Sequence, residues 1–217
     1  MLLGDNVYPS GDPDRIQATV YHPFGPVLGG GTELFAILGN HDDAEGTGDA
    51  QLAALGMPGR WYAVPRGDVV GVALDSTDPT NPEQLAWLEE TLETTDATWK
   101  LVALHHPPHS SGFHASSVAA REAFVPLFER YGVQIVVSGH EHDYQRTDPI
   151  NGVTYVVSGG GSRTRRTGTA DFTAVAYSTH HYVDLNIHDD RVLLRAIDQD
   201  GEQFDEAVIP VTIPTPA

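Results

Sequence analysis

Val133-Gln-Ile-Val-Val137 is an apolar, β-branched run that leads directly into Ser138-Gly-His-Glu-His-Asp-Tyr-Gln-Arg146. Branched side chains sit well on a pleated surface, and a run with little polar alternation belongs to a strand covered on both faces. Such strands build layered α/β proteins, whose ligands gather beyond the carboxyl ends of the strands. Gly139 lets the backbone turn sharply. His140 and His142, two residues apart, can point in different directions from one loop, which suits two metal ions roughly 3.5–4 Å apart better than one ion gripped twice.

The same junction recurs along the chain. Met1-Leu-Leu3 reads as the end of a buried strand running into Gly4-Asp-Asn-Val-Tyr8, and residues 33–38 read as a strand entering Gly39-Asn-His-Asp-Asp43. Residues 99–104 form a further expected strand, ending in His105-His-Pro-Pro108. In a layered sheet these junctions face one side, so Asp5, Tyr8, Asn40, His41, Asp42, His105, His106, His140 and His142 are expected to converge.

Helices are expected over 12–28, with Ile16, Val20 and Phe24 inward, and over 49–55. Two more are expected over 81–92, with Leu85, Leu88 and Leu92 inward, and over 117–131, with Val118, Phe124, Leu127 and Phe128 inward. Residues 60–64 and 69–74 read as two strands around a turn. From Val153 onward short runs at 153–158, 182–187, 192–197 and 204–209, joined by Asp-Asp and Asp-Gly turns, indicate antiparallel sheet. The expected organisation is one domain over 1–210 and a Pro/Thr-rich tail over 211–217, which reads as a linker or frayed end.

Composition narrows the partners. A chain of 217 residues, 40% of them hydrophobic, can bury a substantial core. A net charge of -18 argues against nucleic acid or an anionic membrane surface, and no apolar run approaches the roughly 20 residues of a membrane-spanning helix. The absence of cysteine excludes disulfides and thiolate ligands, so any metal is held by N and O donors. Neither the compartment nor the oligomeric state follows from these numbers.

A cluster of carboxylate and imidazole donors suits the hydrolysis of a phosphate ester. The substrate is an anion that water attacks slowly until its charge is neutralised, and two cations do this while acidifying a water. Gly4-Asp-Asn-Val-Tyr8, Gly39-Asn-His-Asp42, Val102-Ala-Leu-His105 and Gly139-His-Glu-His142 resemble, in order, four of the five sequence blocks of the calcineurin-like metallophosphoesterases. Tyr8, three after Asp5, and the Asp-Tyr-Gln-Arg that follows the histidine pair make the chain most similar to the purple acid phosphatase branch.

The resemblance implies a layered β-sandwich flanked by helices. It implies two metal ions, iron with iron, zinc or manganese, bridged by Asp5. Asn40, His105 and His140 would complete one site, and Tyr8 and His142 would belong to the other. His41 would contact the phosphate and protonate the leaving oxygen, as a histidine can, and His114 would contact the phosphate. The family's first block, an Asp-x-Gly or Asp-x-His on a preceding strand, is absent from this sequence. The expectation is therefore a truncated start, a missing first strand with an exposed sheet edge, a weak second metal site and poor turnover. The favoured partner is a small phosphomonoester. Alternatives are a phosphodiesterase, including one acting on cyclic nucleotides, and a catalytically impaired metal-binding or interaction module. Family likeness favours secretion or a periplasmic location.

Other residues carry two readings each. His114 is either a phosphate contact or plain surface, and His106 and His109 either support a ligand from behind or face solvent, His106 being the rival of His105. Arginines of the loop 158–166 either meet substrate or are simply solvated. Asp42, Asp43 and Asp143 either orient a histidine or sit on the surface. Arg146 is expected to pair with a carboxylate and fix its loop, and His180 and His181 to be structural or exposed.

Overall fold

In the computed structural model, which describes residues 1–211, two sheets stack with helices on the outer face of the larger one. The expected tail lies outside the described residues except for Val211. The strands are β1 (Tyr62–Arg66), β2 (Val69–Ala73), β3 (Trp99–Leu104), β4 (Ile135–Ser138), β5 (Tyr144–Thr147), β6 (Thr154–Ser158), β7 (Thr173–Tyr177), β8 (His181–Ile187), β9 (Arg191–Asp198) and β10 (Gln203–Pro210). The helices are α1 (His22–Leu28), α2 (Gly48–Ala54), α3 (Pro82–Thr94) and α4 (Val118–Arg130). The large sheet has the order β1-β2-β3-β4-β6-β5-β7, and the small one β10-β9-β8.

Period-two alternation decides which layer each side chain joins. Val102, Leu104, Val136 and Tyr155 point toward α3 and α4, where they meet Leu88, Leu92, Phe124 and Phe128. Their neighbours Trp99, Leu101, Ile135, Val137 and Val156 point the other way, onto Val192, Leu194, Ala196 and Ile209 of the small sheet. The strands at the centre are thus covered on both faces, as their unbroken apolar runs require.

The two large helices start where their caps allow. Asn81 Oδ1 accepts from the backbone of Glu83 and Gln84, with Pro82 in the first turn, and Ser117 Oγ accepts from Ala120. Gln84, polar by sequence, is fully buried because its amide clamps Asp75, accepting from its N–H at 2.7 Å and donating to its carbonyl at 2.9 Å.

Several expectations are corrected. Residues 33–38 form no ladder: Ala36, Ile37 and Leu38 are buried but Glu33 is exposed, and the stretch meets the N-terminal segment at a parallel bridge between Leu2 and Ala36. The segment 12–28 is a 3-10 turn, a π turn and the short helix α1, and Phe24 is exposed. Val118 is exposed as well, because it opens α4 at the solvent end. The strand after Val153 pairs antiparallel with β5 across a hairpin, as expected, but its other edge is parallel. It enters the large sheet parallel to β4, since the slot beside β4 is where Tyr155 and Val156 find apolar cover on both faces. β5 and β7 had no apolar run to announce them. The small antiparallel sheet over 181–210 does follow the expected pattern.

One ion pair ties the sheets together. Arg146 on β5 donates to Asp205 on β10 through Nε at 2.7 Å and Nη2 at 2.9 Å, and Tyr144 Oη donates to the same carboxylate at 2.5 Å. This is the pairing expected of Arg146, though its partner lies in the other sheet. Burial pushes the Asp205 carboxyl up, but the hydrogen bonds from Arg146 and Tyr144 outweigh it and hold it below the ordinary aspartate range.

Removing one partner of a buried pair costs about 3–5 kcal/mol, so Asp205→Asn should lower the urea midpoint at pH 7. A depressed carboxyl contributes stability in full above the unfolded value of about 3.9 and loses it as pH falls through the folded value. The gap between wild type and variant should therefore close on acidification. An equal gap at pH 7 and pH 3 would contradict this account.

Candidate metal centre

The parallel register aligns the ends of the strands. Leu104 pairs with Ser138, so His105 and Gly139 leave β3 and β4 side by side, and Gly139 N–H donates to the His105 carbonyl at 3.1 Å. Leu2 and Leu3 run beside this edge and bring Asp5 to it, while Ile37 and Leu38 bring Asn40 and His41.

His105 lies at the centre and is almost wholly buried. Its Nδ1 sits 2.7 Å from the Leu3 carbonyl, which can only accept, so the ring proton is on Nδ1 and Nε2 presents a bare lone pair. That lone pair faces Asn40 Oδ1 at 3.2 Å, His140 Nδ1 at 3.2 Å and Asp5 Oδ1 at 3.4 Å. Burial lowers the His105 pKa, and burial followed by neighbouring imidazoles pushes His140 down to about 3 and His106 to about 4. The rings are thus neutral at ordinary pH, with their lone pairs free. Electron-rich atoms converging on one point repel one another until a cation lies between them, so the residues present fit a metal ion held by N and O donors.

His142 repeats the device. Its Nδ1 is 2.8 Å from the Arg163 carbonyl, and its Nε2 faces Tyr8 Oη at 3.2 Å. Tyr8 in turn donates to Asp5 Oδ2 at 2.9 Å, so the two oxygens of Asp5 face the two halves of the cluster. Burial first, then the Asp5 charge, raises the Tyr8 pKa. His41 is pinned the same way, Nδ1 to the Pro9 carbonyl at 2.8 Å, with its backbone N–H donating to Asp5 Oδ1 at 3.1 Å. His114 stands at the rim, its ring 4.4 Å from that of His140.

Asp5, Tyr8, Asn40, His41, His105, His114, His140 and His142 therefore meet in one place. His105, not its rival, touches Asp5 and Asn40. His106 is nonetheless close: ring nitrogens of His105, His106 and His140 lie within 4.8 Å of one another, and Ser76 holds His106 Nδ1 at 3.0 Å. His109 lies apart, against Tyr155 and Phe172. A cleft of about 700 Å³ opens beside the cluster, with Asp5, Tyr8, His105, His140 and His142 on one wall and Leu2, Leu3, Val183 and Leu185 on another.

The glycines of the motifs have a common cause. A Cβ on Gly4 would come within 2.5 Å of His105 Nδ1, one on Gly39 within 2.2 Å of Asp5 Oδ1, and one on Gly139 within 2.6 Å of the Leu3 carbonyl. Three loops can close around one imidazole only if none carries a side chain there. Asp5 and His140 themselves hold left-handed backbone, with φ of 54° and 66°, a conformation that side chains rarely adopt.

Some supporting residues were invisible in the sequence. Glu141, between the two histidines, is buried and accepts from the His114 backbone N–H at 2.6 Å. The only sequence signal was a charged residue alternating with the loop's histidines. Asp42 resolves its two readings: fully buried, it accepts from Asn6, Val7, Gly39 and Gln51 and knits the first two motif loops together. Asp43 pairs with Arg60, and Asp143 is buried against Gln145. His181 is structural, held by Ser158 and Thr179.

A family model described as calcineurin-like phosphoesterase matches residues 1–144. Tartrate-resistant acid phosphatase type 5 of Oryctolagus cuniculus is 31% identical over 197 residues, covering 75% of this chain and 60% of that protein. Purple acid phosphatase 17 of Arabidopsis thaliana is 27% identical over 199 residues, covering 75% of this chain and 58% of that protein. The chain thus spans about 60% of the length of these curated relatives. Among solved structures, purple acid phosphatase PPD1 from yellow lupin seeds matches with a TM-score of 0.84 at 21% identity, covering 95% of this chain and 45% of that one. A dimetal phosphatase from Danio rerio matches with a TM-score of 0.66 at 15% identity, covering 92% of this chain and 78% of that one. At these identities the two structures speak for the fold.

The close approach at Gly39 makes a direct test. Gly39→Ala should lower metal affinity by about 10–100-fold, the effect of displacing groups that support ligands. Metal retained after dialysis would be measured by elemental analysis beside a circular dichroism spectrum. Unchanged metal content in a folded variant would refute the crowding argument.

Proposed function

Because this chain belongs to the calcineurin-like phosphoesterase family, we propose that it hydrolyses phosphate esters, with phosphomonoesters favoured, at a dinuclear metal centre. The observation that carries the proposal is the bare His105 Nε2 lone pair facing Asp5, Asn40 and His140. In this reading Asp5, Asn40, His105 and His140 hold one ion, and Asp5, Tyr8 and His142 contribute to the other. Iron with iron, zinc or manganese suits these oxygen and nitrogen donors. When bound, the ions neutralise phosphate oxygens and lower the pKa of a nearby water.

The chain's own residues do the rest. The carbonyls of Leu3, Arg163 and Pro9 fix the rings of His105, His142 and His41, so each Nε2 keeps its aim without reorganisation during reaction. His41, with Nδ1 bonded to Pro9, has Nε2 free to hold a proton and give it to the leaving oxygen. His114, its backbone N–H held by Glu141, contacts the phosphate from the rim beside His140.

Two measurements test this. Adding Mn, Zn or Fe to chelator-treated protein should give one equivalent bound tightly and a second more weakly, because the Tyr8 side offers fewer donors, and 4-nitrophenyl phosphate should be hydrolysed only with metal present. Failure of every metal to support turnover would sink the hydrolase reading. His41→Ala should lower kcat by about 10²–10⁴-fold for alkyl phosphates, the scale of a lost general acid. The loss should be smaller for 4-nitrophenyl phosphate, whose leaving group needs no proton. Equal losses on both would remove His41 from the acid role.

A further inference from the structure

The loop that follows β6 does not lie free in solvent. Gly159 N–H donates to the Asp143 carbonyl at 3.1 Å, and Arg165 N–H donates to the His142 carbonyl at 2.9 Å. The Arg163 carbonyl meets His142 Nδ1 at 2.8 Å, and Ser111 Oγ donates to the Gly168 carbonyl at 2.9 Å. These four ties fold the segment from Gly159 to Gly168 back over the histidine cluster and close it against the loop that carries His114.

The tethering delivers one side chain to the rim. The Arg165 guanidinium lies over the Phe113 ring, 5.3 Å from its centroid, and its Nη1 is 3.0 Å from His114 Nε2. Both Arg165 and Phe113 are exposed, so the arginine is ordered by its stacking and backbone ties and not by burial. Among the described residues no carboxylate is ion-paired with it; six other arginines, Arg60, Arg66, Arg130, Arg146, Arg191 and Arg195, are paired, and of those that are not, Arg165 is the one beside His114. A chain of net charge -18 therefore keeps a forked cation without a direct ion pair beside the proposed phosphate contact.

We infer that Arg165, stacked on Phe113 and abutting His114, binds the non-bridging oxygens of the substrate phosphate and selects dianionic monoesters over monoanionic diesters. The inference rests on the phosphoesterase reading and deepens it. A guanidinium presents two parallel N–H donors that match two phosphate oxygens, and its attraction grows with the charge they carry. A phosphomonoester carries nearly two charges at neutral pH. A diester carries one, and its second substituent fills the space where the fork would dock.

The test compares wild type with Arg165→Ala and Arg165→Lys, using Arg166→Ala as the control on the same loop. Inorganic phosphate binding to the metal-supplemented protein is measured by calorimetry. Hydrolysis of 4-nitrophenyl phosphate and of bis(4-nitrophenyl) phosphate is measured in parallel. Arg165→Ala should weaken phosphate binding about tenfold, as the loss of a charge-assisted hydrogen bond does. It should lower the monoester-to-diester ratio of kcat/KM by a similar factor, mainly through KM. Arg165→Lys should restore part of both, and Arg166→Ala should resemble wild type. Phosphate binding and ester preference unchanged in Arg165→Ala, or no phosphate binding by the wild type, would overturn the inference. Phosphate bound through Arg165 without turnover of either ester would overturn the hydrolase reading while leaving this assignment intact.

Discussion

The hydrogen bond from His105 Nδ1 to the Leu3 carbonyl is the contact on which the centre depends. It joins the end of β3 to the segment carrying Asp5, settles the tautomer of a buried imidazole and turns its lone pair into the cavity. Without it the ring could flip, Nε2 could acquire a proton, and the convergence with Asp5, Asn40 and His140 would disappear. Gly4, Gly39 and Gly139 are empty-handed for the same reason, since each passes within contact distance of this ring or its anchor.

The layered fold supplies what this contact needs. Parallel β3 and β4 end in register, so their loops begin together, and the α3–α4 layer on one face and the β8–β10 sheet on the other hold those ends rigid. Rigid placement matters because the donors repel one another and would splay apart on loops of their own. The sheets are coupled to Asp205 of β10 by Tyr144 and Arg146, only a few residues beyond His142, so the packing of the sandwich and the position of the histidine loop are set by one short stretch of β5. Around the centre the charge is arranged against the global trend. In a molecule of net charge -18, Arg165 has no ion-paired carboxylate among the described residues and stands beside His114 at the rim of the cluster.

The limits of sequence reading follow from particular residues. Gln84, Asp42 and Glu141 are polar and buried, and each is there to satisfy backbone or side-chain groups of another segment, a need that no local pattern records. Residues 33–38 have the composition of a strand, yet only Ala36 bridges a neighbour, because composition measures burial and not pairing. Val153–Ser158 reads as the start of antiparallel sheet, which its pairing with β5 satisfies; that its other edge runs parallel to β4 is legible only once the slot beside β4 exists. β5 and β7 are built largely from polar or small residues and are strands by virtue of their partners.

What the sequence determined by itself is the layered architecture, the capped helices α3 and α4, and the list of donors from Asp5 to His142, because apolar periodicity, capping chemistry and strand-end motifs are all local. What the tertiary structure alone decided is which atoms those donors present to one another. The tautomers of His41, His105 and His142 are fixed by carbonyls of Pro9, Leu3 and Arg163, at sequence separations of 32, 102 and 21 residues. The same holds for Arg165: its charge is written in the chain, but its place beside His114, 51 residues away, exists only once two loops close over one edge of the sheet.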